Sequence, residues 1–218
     1  MKMGKLIMYG VIIIALLSFG FVGKGNFSKL SKHVCETKCE EKLENAKELT
    51  LMKDPLDIKK EYIVAVDGEV VAKLKGKAFP VFGDVYTLKD PKGNEMLIEE
   101  GRKKFPLKKG SLKFDRAGVL LTPDQKETGY VTEEFFSWGT KFHLFDKDKK
   151  ELGMLKGKAI RLLSQFVIYD KDDKETYDIK KQFRFTQTEY KMTVKDNKHI
   201  NIKQALILAV AADEENDH

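Results

Sequence analysis

The sequence predicts a mainly β domain that closes around a hydrophobic C-terminal helix, preceded by an apolar N-terminal segment. Three observations carry this expectation. Short runs of alternating apolar and polar residues, cut by loops of Asp, Lys, Gly and Asn, fill the chain beyond residue 60. The stretch INIKQALILAVAA near the carboxyl end is apolar on every side, as suits a helix enclosed by protein. Residues 6–22 (LIMYGVIIIALLSFGFV) carry no charge at all.

A chain of 218 residues has room for one folded domain of ordinary size plus a modest extension. Its charged fraction is 34%, but 14 Phe and 7 Tyr supply a core that disordered compositions lack. Lys and Arg number 40 against 34 Asp and Glu, a moderately basic balance that suits an anionic membrane surface. No zinc-finger spacing, aromatic-basic RNA-binding strand or basic dimer helix occurs, so nucleic acid is not an expected partner. The two cysteines, Cys35 and Cys39, exclude a disulfide-dense scaffold and a four-thiolate zinc site.

The N-terminal segment, residues 1–23, places Lys2 and Lys5 before the uncharged run. Seventeen residues are at the short end of what crosses a hydrocarbon core of ~30 Å. A retained single-pass anchor is expected, with the main domain outside the cytoplasm because a short basic tail before an apolar run stays inside. The alternative is a signal peptide cleaved near Gly20, where Ser18 and Gly20 offer small side chains, and secretion of the remainder. Residues 24–59 read as a charged, partly helical juxtamembrane connector with Phe27, Leu30 and Val34 at helical spacing. On a helix Cys35 and Cys39 share a face, where they form a thiol pair able to oxidise locally, link a homodimer or hold a metal. With His33 the only histidine nearby, a two-thiolate metal site lacks ligands and none is expected.

In the main domain, Asp67-Gly68 between two apolar runs suits the positive φ angles of a tight hairpin. Three later stretches share one skeleton: an aromatic, an aliphatic two later, an aspartate two after that, and a glutamate five beyond. They are Tyr86, Leu88, Asp90, Glu95; Phe142, Leu144, Asp146, Glu151; and Phe166, Ile168, Asp170, Glu175. Period-2 spacing puts aromatic and aliphatic on one strand face, and the aspartate opens a turn by bonding backbone amides. The pairs Asp146/Asp148 and Asp170/Asp172 begin as a calcium loop does. The sixth position then holds Glu151 and Glu175 instead of Gly, so solvated turns are expected.

The helix is expected over residues 200–212, within a domain spanning residues 60–213, followed by an acidic tail at 214–218. Deleting residues 213–218 should then be almost neutral. Burying Ile200, Ile202, Leu206, Ile207, Leu208 and Val210 would contribute roughly 9–18 kcal/mol before entropy is set against it. A closed sheet of six-residue strands, each ~20 Å long, is the right height to wrap such a helix.

The most suggestive candidate site is Arg102, Lys103, Lys104, Phe105, Lys108 and Lys109. Its bases would attract anionic headgroups, and Phe105 would enter the membrane interface. The plainer reading is a strand end and turn whose bases stay wet. Lys73, Lys75 and Lys77 alternate with Leu74 and read as a solvated strand face. His143 occupies a repeat position held elsewhere by Thr87 and Val167, so no imidazole is demanded there. Glu133 and Glu134 precede Phe135, Phe136 and Trp138, aromatics expected to fill the interior. No nucleophile elbow, phosphate-binding loop, zinc-protease helix or dinucleotide fingerprint appears, so neither catalytic residues nor a cofactor is expected.

The repeated strand-Asp-loop-strand units, clearest in YTLKDPKGNEMLIEE, and the terminal ALILAVAAD resemble the tubby C-terminal-like superfamily. The likeness is to its LURP-one-related branch in particular, more distantly to the phospholipid scramblases, and covers about residues 60–213. It implies a closed antiparallel barrel of about twelve strands around the C-terminal helix. It further implies a non-enzymatic membrane-associated binding module for anionic lipid headgroups or a protein partner. A scramblase-like lipid transport accessory and a small-ligand-binding barrel are the alternatives. The chain departs from the pattern in its N-terminal apolar segment and in placing Lys149 and Asp173 where the first copy has Gly93.

Overall fold

The computed structural model of the chain describes residues 34–53, 61–76, 85–102, 117–134, 141–158, 165–184 and 187–216. The predicted N-terminal segment and most of the Phe27–Leu30–Val34 helix fall outside these residues. Among the described residues no helix is long and apolar enough to cross a membrane.

Helix α1 (Cys39–Glu44) leads into strand β1 (Glu48–Lys53). Five hairpins follow: β2 (Glu61–Val66) with β3 (Glu69–Gly76), β4 (Val85–Lys89) with β5 (Glu95–Arg102), β6 (Ala117–Leu121) with β7 (Glu127–Glu133), β8 (Lys141–Asp146) with β9 (Glu151–Lys158), and β10 (Gln165–Asp170) with β11 (Glu175–Arg184). Strand β12 (Gln187–Val194) then precedes helix α2 (Ile202–Asn216). Each strand pairs antiparallel with its sequence neighbours, and β1 pairs with β12 to close a twelve-stranded barrel. The expected closed barrel with its C-terminal helix is therefore present, with three changes of boundary.

The barrel begins at Glu48 rather than residue 60. The supposed connector supplies β1, whose Leu49 and Leu51 alternate with polar residues and point into the core. Val34 forms an extended bridge to Val70 instead of continuing a helix. The C-terminal helix is also longer than expected. It runs to Asn216, and Asp213 and Glu214 are buried members of it rather than the start of a solvated tail.

All five hairpins turn at one end of the barrel, and each carries a register shift just before its turn. Such bulges increase twist and bend the strand, which helps a sheet to close. The predicted aspartates make the turns. Asp146 Oδ1 accepts the amides of Asp148 and Lys150, both at 2.9 Å, and Asp170 Oδ1 those of Asp172 at 2.9 Å and Lys174 at 3.0 Å. Lys149 and Asp173 adopt φ of 64° and 57°, the left-handed region that Gly93 occupies at 96°. Loss of the glycine changed the residue but not the turn.

Hairpin β6–β7 is a further copy that the skeleton hides. Thr122 replaces the aspartate and accepts the Lys126 amide at 3.1 Å, with Gln125 left-handed at φ 64°. Gly118 stands at the aromatic position, because a Cβ there would lie 1.6 Å from Oε1 of Glu99 on the neighbouring strand.

Alternation places Tyr86, Leu88, Phe142, Leu144, Phe166 and Ile168 inside, in one core with Leu206 and Leu208 of α2. Leu74 is likewise inside, while Lys73 and Lys75 point outward to Glu61 at 3.9 and 3.3 Å. Helix α2 is buried on every side from Gln204 to Val210. It enters at the turn end, where Tyr177 donates to the Ile200 carbonyl at 2.6 Å, and runs toward the opposite rim.

Candidate functional site

The rim opposite the hairpin turns is where the interior ceases to be apolar. Lys53 at the end of β1 pairs across the ladder with Tyr62 at the start of β2, and Lys181 of β11 pairs with Tyr190 of β12. Since Leu51 and Ile179 point inward, the residues two positions on, Lys53 and Lys181, must also point inward. Each ammonium lies 5.3 Å from the centroid of its paired tyrosine ring. These four side chains converge on the two acids that end the buried part of α2.

Tyr62 Oη is 2.7 Å from both Asp213 Oδ2 and Glu214 Oε1, so its single proton serves one carboxylate at a time. Lys53 Nζ donates to the same two oxygens at 3.3 and 3.0 Å. Tyr190 donates to Asp213 Oδ1, and Lys181 Nζ lies 3.6 Å from that oxygen. Two cations thus face two carboxylates in a charge-balanced group, with Asp213 only 1% exposed. Burial pushes the Tyr62 phenol well above its ordinary pKa, and the negative charges of Asp213 and Glu214 add to the shift. Tyr62 therefore remains a donor.

Of the predicted basic cluster, one residue lies at this same rim. Arg102 ends β5 there. Lys103, Lys104, Phe105, Lys108 and Lys109 lie outside the described residues, as do Phe135, Phe136 and Trp138. Cys35 and Cys39 form a disulfide with each other, Cα atoms 5.7 Å apart, at the turn end of the barrel. Cys35 precedes α1 and does not share a helical face with Cys39. Its amide bonds the Val70 carbonyl at 2.9 Å, which fixes the incoming chain against β3.

His143 does more than its repeat position requires. It points outward from β8, with Nδ1 2.7 Å from Glu151 Oε1 and Nε2 3.2 Å from Glu134 Oε2. Only the doubly protonated ring donates to both acceptors. Burial raises the Glu134 pKa, but the His143 bond and the Lys141 ammonium outweigh it and hold the carboxyl below its ordinary range. That contact adds stability above the ordinary glutamate pKa and loses it as pH falls through the folded value. Beside it in register sits Thr132, fully buried, whose hydroxyl has no partner among the described residues. Among the described residues no group of three His, Cys, Asp or Glu side chains can hold a metal ion.

No family model matches the chain, and no curated protein matches it in sequence. One similar solved structure is an X-ray structure of a protein from Arabidopsis thaliana, at 13% identity and a TM-score of 0.34. The match covers 80% of this chain and 96% of that one. So loose a likeness lends nothing to the site.

Proposed function

We propose that the protein is a membrane-linked, non-enzymatic binding module of the tubby and LURP-one-related kind that docks on anionic lipid headgroups through residues 102–109. The observation that carries this reading is the position of Arg102. It ends β5 at the rim away from the tight turns, and Lys103, Lys104, Phe105, Lys108 and Lys109 follow it in the sequence. A barrel filled by α2 favours surface recognition over a small ligand held in the lumen. Each lysine near an anionic surface adds ~1 kcal/mol. Replacing Lys103, Lys104, Lys108 and Lys109 by Gln should therefore weaken binding to acidic vesicles by roughly 10²–10³-fold. The melting temperature should hardly change, because exposed charges contribute little to folding.

Vesicle flotation of residues 34–218, which keep β1 and the disulfide, reads this out at low and high salt. Equal recovery with neutral and acidic vesicles would remove the lipid reading and turn attention to a protein partner. Residues 6–22 act in this proposal as a retained anchor, with the barrel outside the cytoplasm. The Cys35–Cys39 disulfide supports that side, since such bonds persist in oxidising compartments. The expected result is a mature protein that keeps Met1 and a barrel digested when intact cells are treated with protease. A sequence starting just after Gly20 would mean secretion, and protection from the protease would place the barrel inside.

A further inference from the structure

The chain that leads into the barrel, residues 34–46, is a strap laid over the turn end. Strand β3 runs past the end of β4 there: their pairing stops at Lys73 opposite Lys89, so residues 69–72 reach beyond β4. Val34 covers that edge at one point, as a parallel bridge to Val70, and the Cys35 amide bonds the Val70 carbonyl. Covering an open strand edge protects it from pairing with other chains. The strap then becomes α1, whose Leu43 and Ala46 join the core.

The strap's noncovalent fastenings are weak. Helix α1 has six residues, well short of the ~12–15 that persist alone in water. Its N-cap, Lys38, makes no side-chain cap among the described residues and sits at φ 57° and ψ 30°, a left-handed conformation that is costly for any residue but glycine. Lys42 meets Glu69, and Lys203 meets Glu40 and Glu44, but these carboxylates are a third to a half exposed and such pairs contribute little. The Cys35–Cys39 bond closes a small ring around Lys38 and so holds the strained turn from which α1 starts.

We propose that the Cys35–Cys39 disulfide is a redox clasp: reduction releases residues 34–46 from the barrel, and oxidation fastens them again. A dithiol supplies the two electrons. Its thiolate attacks one sulfur and breaks the S–S bond, and its second thiol resolves the mixed disulfide. The dithiol leaves as a disulfide, and its two protons end on the Cys35 and Cys39 thiols. Refastening returns the same electrons and protons to a disulfide oxidant. Glu36, Thr37 and Lys38 of the ring are exposed, whereas the two cysteines are only 3% and 7% exposed, so attack follows a local opening of the ring.

The barrel does not share this dependence. Its closing ladder starts after the strap, at Glu48 opposite Thr193, and the Val194 amide still reaches the Lys47 carbonyl at 2.8 Å. Release uncovers the edge of β3 at Val70 and lengthens the connector between residues 1–33 and the barrel. Fully extended, residues 34–46 add roughly 45 Å of reach. The clasp thus sets how far the barrel can stand from whatever residues 1–33 engage. It is independent of lipid binding and is measured without vesicles.

Hydrogen exchange of the full chain in detergent micelles, with and without dithiothreitol, tests it, with free thiols counted by mass after alkylation. Reduction should speed the opening of residues 35–46 by roughly 30-fold, the effect of opening a ring this small, while β7, β8 and β10 keep their protection. Cys35→Ser with Cys39→Ser should show the released pattern without reductant and no response to it. A bond that dithiothreitol leaves intact in the folded chain would overturn the clasp. So would protection of residues 35–46 that survives reduction or the serine pair, or exchange that rises across the whole barrel. If the serine pair does not fold, the reduced wild-type chain decides alone, since it carries no substitution.

Discussion

Ending the chain before Gln204 should give a protein that aggregates, although truncations at a terminus are usually tolerated. Tolerance depends on burial, and the lost segment is the centre of the core. Leu206, Ile207, Leu208 and Val210 are all essentially inaccessible to solvent. At about 1.5–3 kcal/mol each, they contribute roughly 6–12 kcal/mol of apolar burial. The total stability of a domain is about 5–15 kcal/mol. Their removal would also leave Tyr86, Phe142 and Phe166 lining an empty lumen wide enough for a helix.

Leu208→Asp should do nearly as much, because it would put a carboxylate into the apolar core in which Leu208 is fully buried. Soluble yield, circular dichroism per residue and the cooperativity of melting are the measurements. A soluble truncation with an unchanged spectrum and cooperative melting would make α2 peripheral. The barrel packed around it would then have to be abandoned.

What the sequence reveals and what it hides follow from the range of the interactions involved. The hairpins are legible because each is local: Asp146 and Asp170 bond amides two and four residues away. Helix α2 is legible because enclosure needs apolar residues on every side, which no surface helix shows. The copy in β6–β7 is hidden because its aromatic was excluded by Glu99, a residue on another hairpin. Strand β1 is hidden because its two inward leucines, Leu49 and Leu51, lie in a charged stretch, and its partner β12 is at the far end of the chain.

The rim cluster is harder still. Lys53 and Asp213 lie 160 positions apart, and acids near a carboxyl terminus normally stay solvated. The one local trace is a repeated spacing, Lys53 to Tyr62 and Lys181 to Tyr190, which puts lysine beside tyrosine across two ladders. His143 was similarly opaque. Its partners come from the strand end after β7 and from beyond a bulge in β8–β9, so no fixed spacing announces them.

Asp213→Ala should lower the unfolding free energy by about 3–5 kcal/mol, the loss found when one partner of a buried ion pair is removed. Asp213 is the hub of the cluster: it accepts from Tyr62 and Tyr190 and lies beside both ammonium groups. Without it, Lys53 and Lys181 lose the carboxylate they share, and Tyr190 loses the Asp213 acceptor. Tyr62→Phe should cost only about 0.5–1.5 kcal/mol, because it removes one donor while Lys53 still reaches both carboxylates. Deleting residues 213–218, which would be harmless if they were a solvated tail, should cost at least as much as Asp213→Ala. Urea unfolding at neutral pH, with slopes compared between variants, separates these effects. If Asp213→Ala proves milder than Tyr62→Phe, the carboxylate has water to spare and the lysines do not depend on it. The rim would then be an ordinary wet surface rather than a buried ionic centre.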